Sequence, residues 1–387
     1  MRDDAHKLRG SVAIVGVAES DELGKLPHKS GLQLHMEAAH NALEDAGLTK
    51  RDVDAVFTSG RNMANDVPEY LGIRPRFVGG TQVGGCSFLL HVEHAMAAIH
   101  AGLCEVALIT HGESGYSRVG MPAPRWGDDS TTVQFEQVFG TTGPATGYGL
   151  MATRHMHKYG TTSEQLAEVA VATRKWAALN PRAMYRDPLS IDDVLNSKLI
   201  SWPFHLLDCC LVTDGGGAAV VTSAERARDL RRKPVYVLGT GEAVTHQIVS
   251  QMPAFDRWDA AVESGRRAFA MSGVSHDEID VAQLYDAFTV VPMLALEALG
   301  FCKPGESGPF VSDQRTAPGG DFPMNTNGGG LSYTHTGMYG MFTIIEAVRQ
   351  LRGECGERQV KGAKTAICHG TGGQWSAAAT MIVSTER

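Results

Sequence analysis

The chain repeats itself, and this repetition constrains its fold more than any other feature. Val12-Ala-Ile-Val-Gly16 is echoed by Val235-Tyr-Val-Leu-Gly239, each a short apolar run closed by glycine. Ala42-Leu-Glu-Asp-Ala-Gly47 matches Ala268-Phe-Ala-Met-Ser-Gly273, a helical pattern ending on its glycine stop. An acidic stretch and a strand follow each: Arg51-Asp-Val-Asp54-Ala-Val-Phe and Asp277-Glu-Ile-Asp280-Val-Ala-Gln. Gly47 is as far from Gly273 as Asp54 is from Asp280, so the two copies are in register there. Val106-Ala-Leu-Ile-Thr-His-Gly112 then faces Lys364-Thr-Ala-Ile-Cys-His-Gly370 at a wider separation, so the second copy carries a longer insertion before that strand.

Strand, helix, strand, helix, strand in each copy predicts an α/β fold, with parallel strands and helices on the sheet faces. Two such units make a pseudo-twofold molecule with a cleft between the halves. The boundaries read as 1–115 plus 212–233 for the first half, 116–211 for an inserted segment, and 234–387 for the second half. The inserted segment is rich in Arg, Lys, His and Met, and its best helix is Ser163 to Ala178. It is either a surface excursion or a lid that recognises part of a substrate.

Composition narrows the function. Asp and Glu outnumber Lys and Arg by 43 to 35, with no block of like charge, which argues against nucleic acid as a partner. Seven cysteines without framework spacing fit a reducing cytoplasm. The start, Met1-Arg-Asp-Asp-Ala-His-Lys7, has no apolar signal-like run. No run of roughly 20 apolar residues predicts a membrane span.

Three turns carry candidate chemistry. Cys86, in Val83-Gly-Gly-Cys-Ser-Phe88, leads into an apolar helical run, Leu89 to Ala101. A helix N-terminus favours thiolate over thiol, so Cys86 is a candidate nucleophile. His335 lies in Asn327-Gly-Gly-Gly-Leu-Ser-Tyr-Thr-His335-Thr-Gly337, and Cys368 in Cys368-His-Gly370. A nucleophilic cysteine, a histidine and a second cysteine on glycine-rich turns suit carbon–carbon bond chemistry on a thioester. Gly328 to Gly330 lack a following P-loop lysine and are expected to let the chain turn beneath His335. His91, Glu93 and His94, and the pair His155 and His157, have metal-like spacing without a completing ligand pattern, and no metal is expected. Cys209 and Cys210 read as packing. Cys104, Cys302 and Cys355 have no chemical context.

With these motifs in order, the chain resembles the thiolase superfamily across essentially its whole length. Cys86-Ser87 occupies the family's nucleophile turn. Asn327-Gly-Gly with Thr334-His335-Thr336-Gly337 is similar to its N-x-x-G-G…G-H-P-x-G loop, with Thr334 and Thr336 replacing glycine and proline. Cys368-His-Gly370 is similar to its terminal C-x-G turn, and Tyr285-Asp-Ala-Phe288 falls where thiolases carry Asn-Glu-Ala-Phe. Gly84-Gly-Cys-Ser-Phe88, Asp214 to Val221 and the Tyr285 turn are closest in flavour to the sterol-carrier, lipid-transfer-like branch. The resemblance implies a thiolase fold: two duplicated βαβαβαββ halves in a layered αβαβα arrangement with an inserted loop domain.

It also implies chemistry. The expected reaction is cleavage of a 3-oxoacyl-CoA by coenzyme A through an acyl group on Cys86. His335 would take the thiol proton and help bind the thioester oxygen, and Cys368 would act as acid and base at the α-carbon. Backbone N–H groups near Cys86 and Gly370 would form an oxyanion hole. Tyr285 would donate to the substrate oxygen where the family uses an Asn-held water. Coenzyme A is then a co-substrate, no permanently bound cofactor is implied, and substrates extend to bulky steroid-derived or aromatic thioesters such as benzoylsuccinyl-CoA. Arg154, Lys158, Arg174 and Lys175 are candidates for coenzyme A contact or simply a solvated face. A homodimer is implied, and in this branch a small OB-fold, zinc-ribbon partner. Two rivals remain: a retro-aldolase on a β-hydroxyacyl-CoA, with Tyr285 as acid and base and Cys86 a relic, and a non-catalytic lipid or acyl-CoA carrier.

Overall fold

The computed structural model describes residues 3–60, 65–120, 130–141 and 143–387. Met1 and Arg2 of the chain start, and residues 121–129 and 142 of the inserted segment, lie outside the described residues. In the first half the strands are β1 (Val12–Glu19), β2 (Ala55–Ser59), β3 (Phe77–Thr81), β4 (Val106–Ser114) and β5 (Asp214–Ser223). The second half supplies β6 (Val235–Val244), β7 (Val281–Leu284), β8 (Thr365–Gly372) and β9 (Ala377–Ser384). They form one sheet in the order β3-β2-β4-β5-β1-β6-β9-β8-β7. The halves join where Ala13 and Ile14 of β1 meet Tyr236 and Val235 of β6.

The duplication is thus a mirrored strand order: β1, β5, β4, β2 outward on one side and β6, β9, β8, β7 on the other. Where β3 pairs with β2, the second half keeps only a parallel bridge from Ala282 to Met324. Packing repeats with the topology. Gly16 lets helix α1 (Gly31–Ala46) approach so closely that a Cβ there would lie 2.1 Å from the Ala42 carbonyl oxygen. Gly239 does the same for the helix Asp259–Ser272, with 2.2 Å to the Ala268 carbonyl oxygen. The matched acidic residues share a task as well. Asp54 accepts hydrogen bonds from the amides of Glu105 and Val106, and Asp280 from those of Lys364 and Thr365. Each carboxylate satisfies the first amides of its half's next core strand.

Strand direction departs from the parallel expectation. β2 is parallel to β3 and β4, and β7 to β8, but β5 is antiparallel to both β4 and β1, and β9 to both β8 and β6. The physical reason is that β4–β5 and β8–β9 are hairpin-like returns, which need no crossover helix. Residues 373–376 close the second hairpin, whereas residues 115–213 open the first. The inserted segment is therefore an enlarged hairpin loop. It contains the helices Pro144–Tyr159 and Ser163–Ala178, the latter with the expected bounds.

Helix α2 (Ser87–His100) and the helix Gly340–Arg352 pack on each other between strands of both halves, while α1 and the helix Asp259–Ser272 cover the outer faces. This is the αβαβα layering. The central pair buries Phe88, Leu89, Met96, Phe342 and Ile344. No described helix is long and apolar enough to cross a membrane.

Candidate active site

At the C-terminal end of β7 the chain turns through Tyr285-Asp-Ala-Phe288. The Tyr285 amide donates to the His369 carbonyl at 3.0 Å, and Asn325 brackets Leu284 through both its main-chain groups. Opposite lies the loop before Gly340. Gly328 and Gly329 adopt φ of 102° and 60°, and residues Gly329–Tyr333 form a π-helical turn that leads into His335. A side chain at Gly329 would lie 2.0 Å from an Asp286 carboxylate oxygen, so glycine is required twice over, by φ and by space. The Gly328–Gly330 run does turn the chain tightly beneath His335, as the sequence predicts.

These two loops bring the Tyr285 phenol and His335 Nε2 to 2.8 Å. Burial drives the Tyr285 phenol well above its ordinary range, and burial likewise lowers His335 to about 4. At neutral pH both rings are uncharged. Tyr339 backs the pair: its ring is parallel to His335 at 6.4 Å, and its hydroxyl donates to Asn327 Oδ1 at 2.7 Å. Asp286 accepts from the Gly330 amide at 2.6 Å and the Leu331 amide at 3.3 Å, tying the Tyr285 turn to the His335 loop. Burial raises this carboxyl to about 7, against the pull of those amides.

Tyr285 and His335 open onto a cavity of about 390 Å³, walled also by Gly84, Gly85, Tyr148, Cys210, Phe288 and Gly372. The volume is in the range of small-molecule sites. Neither Cys86 nor Cys368 is among the lining residues.

Cys86 sits at the N-cap of α2, as expected, but is 0% exposed. Its thiol faces the Val83 carbonyl at 3.6 Å, and a Cβ at Gly372 would lie 2.7 Å from its sulfur. Desolvation pushes the Cys86 thiol up, opposite to the lowering expected from the helix N-terminus. The expected proton transfer to His335 is not prearranged either, because His335 Nε2 is engaged by Tyr285. Cys368 is also 0% exposed, with its thiol against the Thr343 carbonyl at 3.4 Å, and burial raises its pKa too. Gly370 lies directly on Cys86, 2.9 Å from its Cα to a built Cβ, and both sit behind the cavity wall.

Other candidates resolve into structural roles. Arg174 is buried, donates to Ser332 Oγ at 2.8 Å and stacks on Tyr185, so it is no solvated cation. Lys158 pairs with Asp256, while Arg154 and Lys175 are exposed. His91 bonds Thr81, His94 pairs with Glu242 at 3.2 Å, and His155 bridges Thr161 and Glu297. Among the described residues no group of three His, Cys, Asp or Glu is arranged to hold a metal ion. Cys209 and Cys210 pack against the core, as expected, and both also line the cavity. Sequence reasoning also missed Tyr148, whose hydroxyl donates to the Gly373 carbonyl at 3.0 Å and whose ring stacks on Trp375 and Phe288. The apolar run around Cys209 and Cys210 gave no cue, because the cavity forms from segments distant in sequence.

Comparison with known proteins agrees with this architecture. Residues 241–385 match the family described as "Thiolase C-terminal domain-like". The chain is 38% identical to the 17-hydroxy-3-oxo-4-pregnene-20-carboxyl-CoA lyase of Mycobacterium tuberculosis over 360 residues, 89% of this chain and 92% of the relative. It is 33% identical to the acetyl-CoA acetyltransferase of Methanothermobacter thermautotrophicus over 383 residues, covering 96% and 99%. The solved structure of the "Ltp2-ChsH2(DUF35) aldolase" superposes with a TM-score of 0.90 at 34% identity, covering 98% of this chain and 99% of that one. The chain belongs to the thiolase superfamily.

Proposed function

We propose that the protein cleaves the Cα–Cβ bond of a β-hydroxyacyl-CoA by a retro-aldol reaction, with the Tyr285–His335 pair as its acid and base. The observation that carries this reading is the 2.8 Å hydrogen bond between these two uncharged rings in the cavity wall, which neither candidate cysteine lines. In the cleavage step the β-hydroxyl gives its proton to the phenol oxygen while the phenol proton passes to His335 Nε2. The electrons of the broken O–H bond form the new carbonyl. The Cα–Cβ electrons move into an enolate of the thioester, which then takes a proton from the same pair at the α-carbon. The products are a ketone or aldehyde and a shortened acyl-CoA. The step consumes neither water nor free coenzyme A. A site that keeps both groups neutral supports such a shuttle, since the imidazole is free to accept and the phenol to donate.

The relatives support this reading at their own level, as two of the three are named a lyase and an aldolase. That likeness supports a steroid-derived acyl group, and the second component in the aldolase's name supports a DUF35 partner for this chain. The apolar, aromatic cavity wall suits a bulky acyl chain. We place the protein in the cytoplasm and expect it to self-associate as a homodimer.

Thiolytic cleavage of a 3-oxoacyl-CoA through Cys86 is the second reading, favoured by one observation. The Cys86 sulfur lies just behind Gly372, so a small displacement of that strand end would admit it to the cavity. Coenzyme A dependence separates the two. Incubation with a steroid side-chain β-hydroxyacyl-CoA, without free coenzyme A and with a DUF35 partner supplied, is expected to release a ketone and an acyl-CoA continuously. A strict requirement for added coenzyme A would contradict the retro-aldol reading.

A further inference from the structure

The enlarged hairpin loop ends in a strap, residues 208–213, that runs between the turn carrying Tyr285 and the loop carrying His335. On the Tyr285 side, Thr289 donates through its amide to the Asp208 carbonyl at 3.0 Å and through its hydroxyl to the Asp208 carboxylate at 2.9 Å. The Cys210 amide donates to the Ala287 carbonyl at 2.9 Å. On the His335 side, the Leu211 amide donates to the Gly330 carbonyl at 2.9 Å. Thr213 completes the strap. Its amide donates to the His335 carbonyl, and its hydroxyl accepts from the His335 amide, both at 3.0 Å. The same hydroxyl meets Thr334 Oγ1 at 2.7 Å, and Thr213 is buried.

One residue therefore holds both main-chain groups of His335. The loop it holds carries Gly328, Gly329, Gly330 and Gly337, and has little conformational preference of its own. A hydrogen bond of 2.8 Å to Tyr285 needs the His335 ring fixed to a fraction of an ångström, and misplacement by about 1 Å costs up to roughly a hundredfold in rate.

We propose that Thr213 is a positioning residue. Its two-point hold on the His335 backbone sets the Tyr285–His335 distance, so the strap both walls the cavity, at Cys209 and Cys210, and aligns the pair that faces it. The proposal rests on the retro-aldol reading for its kinetic consequence but not for its geometric one.

The test compares wild type with Thr213→Val, which keeps the shape and removes the hydroxyl, and with Thr213→Ser, which keeps the hydroxyl. Thr213→Val is expected to lower kcat about 30-fold with KM within about twofold, and Thr213→Ser to stay within about threefold of wild type. In protein carrying ¹⁵N-histidine, the His335 Nε2 resonance is expected to shift in Thr213→Val and not in Thr213→Ser. Unchanged kcat and an unchanged resonance in Thr213→Val would overturn the proposal, as would equal losses in both variants. Should Thr213→Val not fold, Thr213→Ala is measured in its place and must show the same loss, or the proposal falls. The resonance does not depend on which thioester is cleaved. A wild type inactive on β-hydroxyacyl-CoA therefore defeats the functional reading, while the spectrum still decides the role of Thr213.

Discussion

Two pairs of chemistry-bearing side chains differ in their access to the cavity. Tyr285 and His335 face it and bond to each other at 2.8 Å. Cys86 lies behind Gly372, and Cys368 does not line the cavity; each thiol is turned toward a main-chain carbonyl. Desolvation acts on both groups with opposite results. It keeps the histidine and tyrosine neutral, which suits a proton shuttle, and it favours the thiol over the thiolate at both cysteines. Position in a motif thus does not by itself bring a side chain to the cavity. On the retro-aldol reading proposed above, residue types that mark a covalent mechanism in sequence serve a non-covalent one.

The comparison breaks or sharpens under substitution. The largest effect is expected from Tyr285→Phe, which removes the hydroxyl bonded to His335 Nε2 and retains the ring packing against Tyr339. Loss of one such group costs roughly 3 kcal/mol of transition-state stabilisation, so kcat should fall a hundredfold or more at nearly unchanged KM. Steady-state cleavage kinetics check this, and a loss below about fivefold would remove Tyr285 from the account.

A smaller effect follows from Asp286, raised to about 7 by burial. As pH rises through that value the carboxyl ionises and strengthens its hold on the Gly330 and Leu331 amides, which shape the loop beneath His335. As pH falls that charge is lost, and kcat is expected to drop about tenfold from pH 8 to pH 6. The pH–rate profile of Asp286→Asn should lose this limb. A limb that persists in the variant would assign it to another group.

The smallest effect is expected on the other side of the wall. Cys86→Ala should leave β-hydroxyacyl-CoA cleavage within about threefold of wild type, while the lost packing lowers stability by about 1–2 kcal/mol. Paired rate and thermal-unfolding measurements separate these terms. A loss as large as that of Tyr285→Phe would bring Cys86 back into the mechanism.

Much of the frame was legible because repeated local patterns carry it. The strand glycines Gly16 and Gly239, the helix stops Gly47 and Gly273, and the carboxylates Asp54 and Asp280 each do the same job in both halves, so similarity of residue predicted similarity of role. The helix Ser163–Ala178 was legible with its observed bounds, and in the structure a Thr162 capping box starts it. Strand direction was not, since alternation of elements says nothing about whether β4 and β5 form a return interrupted by a long loop. At the site, Cys86, His335, Cys368 and Tyr285 stood out by their turns, but which of them would reach the cavity depended on backbone packing at Gly85, Gly370 and Gly372. Thr213 and Cys210 were invisible for a related reason. Their partners lie in the other half of the chain, and neither residue belongs to a turn or a periodic face.

The central claim is that cleavage runs through the Tyr285–His335 pair without a covalent acyl-enzyme. Intact-protein mass spectrometry on rapidly quenched reactions tests it most directly, with a β-hydroxyacyl-CoA and a 3-oxoacyl-CoA as substrates and the DUF35 partner present. The account predicts that the β-hydroxyacyl-CoA is consumed while the chain keeps its unmodified mass. An acyl adduct that forms on the wild type during turnover and is missing from Cys86→Ala would contradict it.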